Sequence, residues 1–151
     1  MSNCVLKSCL CLIVTTWLIC IPTVVAACSC ALPPLGKTEN QLIKLERKKS
    51  QAIFSGEVTE IIIPKLPSGE ESWTATIKFK VLQSWKGIKT ETVTVYTTNV
   101  CCICGYKFEI GEHYLVYANG TAKGELSTDT CTRTKKLLTA TEDLRVLGKG
   151  K

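Results

Sequence analysis

From residue 73 to residue 85 apolar and polar side chains alternate, with Trp73, Ala75, Ile77, Phe79 and Val81 on one side and Thr74, Thr76, Lys78 and Lys80 on the other. A period of two predicts a β-strand with one face in a core and one in water. Residues 90–97 repeat the alternation, Val93 and Val95 lying opposite Thr92, Thr94 and Tyr96. Upstream, residues 52–63 hold Ile53, Phe54, Val58, Ile61, Ile62 and Ile63, a β-branched and apolar run that predicts a long strand with Gly56 as a bulge or kink. Tyr106, Phe108 and Ile110 point one way before Gly111, residues 113–118 form a strand of nearly continuous apolar character, and residues 126–132 add a short closing strand that ends in Cys131.

Two segments carry helix signals instead. Residues 38–49 place Thr38 and Gln41 in capping-box spacing around the apolar stripe Leu42, Ile43 and Leu45, and residues 139–147 repeat the box with Thr139 and Glu142. Pro33 and Pro34 exclude regular helix ahead of the first and favour an extended, exposed path. Five or six strands at short spacing, with a helix before and a helix after, predict a mainly β fold and a small barrel rather than a parallel α/β sheet.

Residues 1–27 have a different character. Lys7 supplies a positive start, residues 9–21 an apolar core, Pro22 a break, and Val25-Ala26-Ala27 the small-residue pattern of a cleavage site. The core is 13 residues long, well short of the about 20 that a membrane span needs. Residues 1–27 therefore read as a signal peptide and residues 28–151 as one secreted, extracellular domain. Val-Ala-Ala-Cys also has the form of a bacterial lipobox, in which Cys28 would be lipidated on sulfur and acylated on nitrogen, anchoring the chain to a membrane.

Of the ten cysteines, Cys4, Cys9, Cys11 and Cys20 lie in the leader, leaving Cys28, Cys30, Cys101, Cys102, Cys104 and Cys131. Export favours disulfides over a zinc cluster at Cys101-Cys102-Ile103-Cys104, and six cysteines allow 15 connectivities that spacing alone does not resolve. Asn119-Gly120-Thr121 is an N-glycosylation sequon. The formal charge is +6, falling to +5 without Lys7, and the basic residues are scattered. Lys44, Arg47, Lys48 and Lys49 form the densest cluster, read as a solvated helix face rather than a nucleic-acid site, although a basic secreted domain can hold weakly to acidic matrix polysaccharide. No G-x-S-x-G, H-E-x-x-H or phosphate-binding glycine loop is present, and His113 is the single histidine, so an enzyme is not expected.

Cys28-Ser29-Cys30 at a mature N-terminus, Phe54-Ser55-Gly56 opening the first strand, Cys104-Gly105-Tyr106, Tyr114-Leu115-Val116-Tyr117 and Cys131 together resemble the inhibitory domain of the tissue inhibitors of metalloproteinases. The likeness covers nearly all of residues 28–147. It implies a netrin-like module with an OB-type five-stranded closed barrel, and disulfides from Cys28 to Cys104 and from Cys30 to Cys131. The chain departs from that pattern at Asn40, where the family carries a further cysteine, and at Leu32, where many members have proline. Cys101 and Cys102 are left over, as a vicinal pair, a swap with Cys104, or an intermolecular link.

The resemblance further implies an inhibitor with no cofactor of its own, acting on the zinc of a partner metalloproteinase. A catalytic zinc keeps one position open beside three protein ligands. The α-amine of Cys28, whose reference pKa of about 7.7 to 8.0 leaves a neutral fraction near pH 7, would fill that position together with its own carbonyl oxygen. Cys28 is thus the expected metal-binding residue, through backbone atoms and not sulfur. Ser29 would enter the pocket beyond the scissile bond, and Cys30, Ala31, Leu32, Cys102, Ile103 and Cys104 would line the remaining cleft. The alternative is a netrin-like module without inhibitory action that binds matrix or another secreted protein.

Overall fold

Two long strands dominate the molecule, β1 (Ala52–Ile62) and β2 (Thr74–Lys86), followed by β3 (Thr92–Thr98), β4 (His113–Gly120) and the short β5 (Leu126–Ser127). The computed structural model describes residues 28–100 and 103–151. The signal-peptide reading of residues 1–27, the contact role of Cys102 and the pairing of Cys101 and Cys102 fall outside the described residues. The strands follow the order β1-β2-β3-β5-β4, and β4 returns to β1, closing a five-stranded barrel. All neighbours are antiparallel except β3 and β5, which meet in parallel at Tyr96 and Ser127. Helix α1 (Glu39–Lys49) precedes the barrel, and β6 (Lys135–Lys136), a 3-10 turn (Leu137–Thr139) and helix α2 (Thr141–Leu147) follow it.

Closure demands curvature, and β1 supplies it. Its register against β2 slips at Ile53/Phe54, Ser55/Gly56 and Val58/Glu60, bending the strand so that one edge pairs with β2 and the other with β4. Gly56 permits a close approach of β1 to β2, because a Cβ there would stand 2.8 Å from the Lys80 carbonyl oxygen.

Inside the barrel, Phe54, Val58, Ile77, Phe79, Val95, Phe108, Tyr114 and Val116 form one core. Its aromatic rings meet edge to face, Phe54 with Phe79 at 5.4 Å and Phe108 with Tyr114 at 4.8 Å. Outside it, Ile53, Leu115 and Tyr117 pack beneath Ala140 and Leu147 of the C-terminal helical segment. β4 is therefore buried on both faces, which explains the near-continuous apolar run at residues 113–118.

The helix at α1 begins as its sequence predicts, with Thr38 and Gln41 forming a reciprocal capping box. The second box does not form. Thr139 donates its hydroxyl to the Lys136 carbonyl at 2.9 Å, Ala140 takes the cap position without a side-chain bond, and the helix starts at Thr141. Burial of Ala140 against the barrel wall fixes where that helix begins. Trp73 stands just outside β2 and is 67% exposed, and Ile110 is 66% exposed, so neither joins the core with its alternating neighbours. Residues 105–112 form no strand, and the closing strand stops at Ser127 because residues 128–134 turn on their own hydroxyl groups. Among the described residues no helix is long and apolar enough to cross a membrane.

Candidate functional site

Residues 28–34 run along the outside of the barrel free of helix or turn, every one exposed, before Leu35 and Gly36 form a turn. Residues two apart in an extended segment share a face, so Cys28 and Cys30 both turn toward the barrel while Ser29 turns away. Cys28 is bonded to Cys104 and Cys30 to Cys131, with Cα separations of 5.1 and 5.2 Å. These are the pairs the resemblance implies. They close 76 and 101 residues of sequence; either alone would bring a chain-entropy stabilisation of about 4 to 5 kcal/mol, and the second adds less because the two loops share most of their residues.

The anchors on the barrel side are themselves fixed. Thr130 donates both its backbone N–H, at 2.8 Å, and its hydroxyl, at 3.2 Å, to the carbonyl of Cys104, and that hydroxyl also lies 3.7 Å from the Cys28 sulfur. Asp129 accepts from the N–H groups of Cys131 and Thr132 at 2.9 and 3.0 Å, pinning the turn that carries Cys131. Gly105 bridges to Asp129, and any Cβ at position 105 would run into the carbonyl of Thr98. A side chain there would push the Cys104 loop off the barrel.

Beneath this turn lies a buried ionic cluster that sequence reasoning did not find. Arg133 reaches Asp143 through Nε at 2.8 Å and Nη2 at 3.0 Å, Lys135 adds a contact at 2.8 Å, and the Tyr117 hydroxyl donates at 2.9 Å. Arg133 also pairs with Glu39 in the first turn of α1. Burial pushes the Asp143 carboxyl up, but the hydrogen bonds from Arg133, Lys135 and Tyr117 together outweigh it and hold the group below the usual carboxylate range. Burial, reinforced by the Asp143 charge, pushes the Tyr117 phenol well above its ordinary value. Through this cluster the Cys131 turn, α1 and α2 are held as one unit. No sequence period marks it, since its members come from four separate segments.

The remaining expected contact residues fall around the same ridge. Ser29, Ala31 and Leu32 are exposed, Leu32 at 91%, and Ile103 is 46% exposed beside the half-buried Cys104. A cavity of about 650 Å³ opens next to them at the barrel mouth, lined by Cys28, Ile61, Ile77, Ile103, Tyr106 and Phe108. The ridge thus presents an exposed backbone beside a largely apolar hollow.

Asn119 lies away from this ridge, half-buried in β4 opposite Ser127. The Thr121 hydroxyl of its sequon accepts from the N–H groups of Lys123 and Glu125, holding the β4–β5 turn. His113 is exposed at the start of β4, apart from the cysteines, as a strand residue. No protein-family model and no curated protein matches this chain.

Proposed function

We propose that the protein is a secreted inhibitor of zinc metalloproteinases, in which the α-amine and carbonyl oxygen of Cys28, freed by cleavage after Ala27, chelate the catalytic zinc of the partner enzyme. The observation that carries this reading is the double clamp: two disulfides two residues apart hold an exposed backbone segment rigid against the barrel. A segment ordered before binding loses less conformational entropy on association than a free tail. Occupation of the open zinc position displaces the water that would attack a peptide bond. Ser29 then enters the adjoining pocket, where its small side chain fits many enzymes. Leu32 and Ile103 extend the apolar contact on either side.

The test is N-terminal sequencing and intact mass of the secreted protein, combined with inhibition assays on a panel of purified zinc proteases. A free amine on Cys28 together with inhibition supports the reading. An acylated Cys28, or an unblocked Cys28 with no inhibition of any zinc protease, overturns it.

One observation favours a second reading, a netrin-like module that binds matrix. Lys44, Arg47 and Lys48 border a cavity of about 490 Å³ lined also by Trp85 and by Lys86, whose ammonium donates to the Arg47 and Lys48 carbonyls. Cations around an aromatic ring suit an acidic polysaccharide, sulfate groups meeting the cations and a sugar face meeting the indole. Retention on a sulfated glycan column that is lost in Lys44→Glu with Arg47→Glu, in a chain that inhibits nothing, would favour this reading over the first.

A further inference from the structure

The two disulfides are close neighbours. The sulfur atoms of Cys28, Cys30, Cys104 and Cys131 all lie within 4.8 Å of one another, and the Cys104 and Cys131 sulfurs, which belong to different disulfides, are 3.7 Å apart. A zinc–thiolate bond of about 2.3 Å sets the edge of a tetrahedral four-sulfur site at about 3.8 Å. The contact between the two disulfides is thus already at the edge length of such a site, and the two bonded pairs would reach it once reduction lets their sulfurs separate.

We propose that reduction of both disulfides converts this cluster into a binding site for one soft divalent cation, zinc or cadmium, with Cys28, Cys30, Cys104 and Cys131 as its four ligands. Each disulfide takes two electrons and two protons from an external dithiol, which closes to its own cyclic disulfide. Four thiols result, and the incoming cation displaces their four protons to solvent. The site differs from the inhibitory chemistry proposed above, which uses the backbone nitrogen and oxygen of Cys28 and the zinc of another protein.

Three features support it. None of the four cysteines lies in a barrel strand, and the core of Phe54, Phe79, Val95, Tyr114 and Val116 does not include them, so reduction costs the fold its two crosslinks but removes no core contact. The turn carrying Cys131 is pinned by Asp129, and the Cys104 carbonyl by Thr130, so two ligands are preorganised without the disulfides. Three of the four side chains are exposed, which gives a cation an open path. All-thiolate sites select soft cations over magnesium and calcium. The bound metal would re-staple the N-terminal segment to the barrel, and reduction becomes an exchange of one clamp for another.

The experiment uses the chain with Cys101→Ser and Cys102→Ser, and with Cys4, Cys9, Cys11 and Cys20 also changed to Ser where the leader is retained. It is reduced anaerobically with a dithiol, freed of it, and titrated with zinc against a chromophoric chelator and with cobalt as a spectroscopic probe. The expected result is one cation per chain, the absorption of a tetrahedral cobalt thiolate, and loss of affinity by about tenfold or more in Cys30→Ser and in Cys131→Ser. Near-ultraviolet circular dichroism monitors the barrel. Absence of stoichiometric binding while the barrel signal persists overturns the proposal. So does equal binding in denaturant, which would show that the fold contributes nothing.

Discussion

Arg133 holds Asp143 with two nitrogens, Nε to Oδ1 at 2.8 Å and Nη2 to Oδ2 at 3.0 Å, and this pair fastens α2 to the turn that carries Cys131. The carboxylate is almost wholly buried, so the pair matters chiefly for what its disruption would leave behind. A charge stripped of its partner in the interior is costly, whereas the intact pair contributes little net stability.

Replacing Arg133 by Met leaves Asp143 with Lys135 and Tyr117 and is expected to destabilise the fold by about 1 to 3 kcal/mol, with a similar cost for Tyr117→Phe, read by urea unfolding. The double change Arg133→Met with Asp143→Leu should recover much of the loss. If Arg133→Met costs no more than an exposed substitution, the cluster does not hold the turn.

Acid should act through the same carboxylate. Asp143 titrates lower in the folded chain than in the unfolded one, so its contribution is complete above the ordinary carboxylate range and disappears as the pH falls through the lowered folded value. Stability measured across that interval should drop with acid in the native chain and less steeply in Asp143→Asn. Parallel profiles for the two would contradict this.

Thr130 should act as a positioning residue for the ridge. Thr130→Val removes the hydroxyl bond to the Cys104 carbonyl and the contact with the Cys28 sulfur but keeps the backbone bond. Stability should fall by about 1 kcal/mol, while any protease inhibition weakens through faster dissociation, with Thr130→Ser restoring it. Equal inhibition by Val and Ser variants would show that the hydroxyl positions nothing.

Gly105 is constrained by the approach of the Thr98 carbonyl. Gly105→Ala is expected to displace the Cys104 loop and destabilise the fold by more than about 1 kcal/mol, with Cys28 and Cys104 more readily reduced by a dithiol. A variant as stable and as slowly reduced as the native chain would remove Gly105 from the account.

The barrel was legible because its strands obey simple rules. Ala75, Ile77 and Phe79 alternate with exposed Thr74, Lys78 and Lys80, and Gly56 marks the bend in β1. The four clamp cysteines were legible as residues, and their pairing came from resemblance, because spacing alone leaves the connectivity open. What failed to show was decided by tertiary packing. Ala140 won the cap position from Thr139 through burial, and Trp73 and Ile110 keep the pattern of strand residues where the chain has already left the core. Asp143, two residues inside a short amphipathic helix, carries no sign in the sequence of the arginine, lysine and tyrosine that meet it from elsewhere.

The central claim concerns one nitrogen, and one comparison addresses it. Inhibition constants against a zinc protease would be measured for the protein starting at Cys28, for the same protein after carbamylation of its α-amine, and for a form retaining Ala27, with circular dichroism showing that all three keep the barrel. The account predicts that both blocked forms lose inhibition by about 100-fold or more, equivalent to about 3 kcal/mol of binding. Undiminished inhibition by the folded, blocked forms would contradict it.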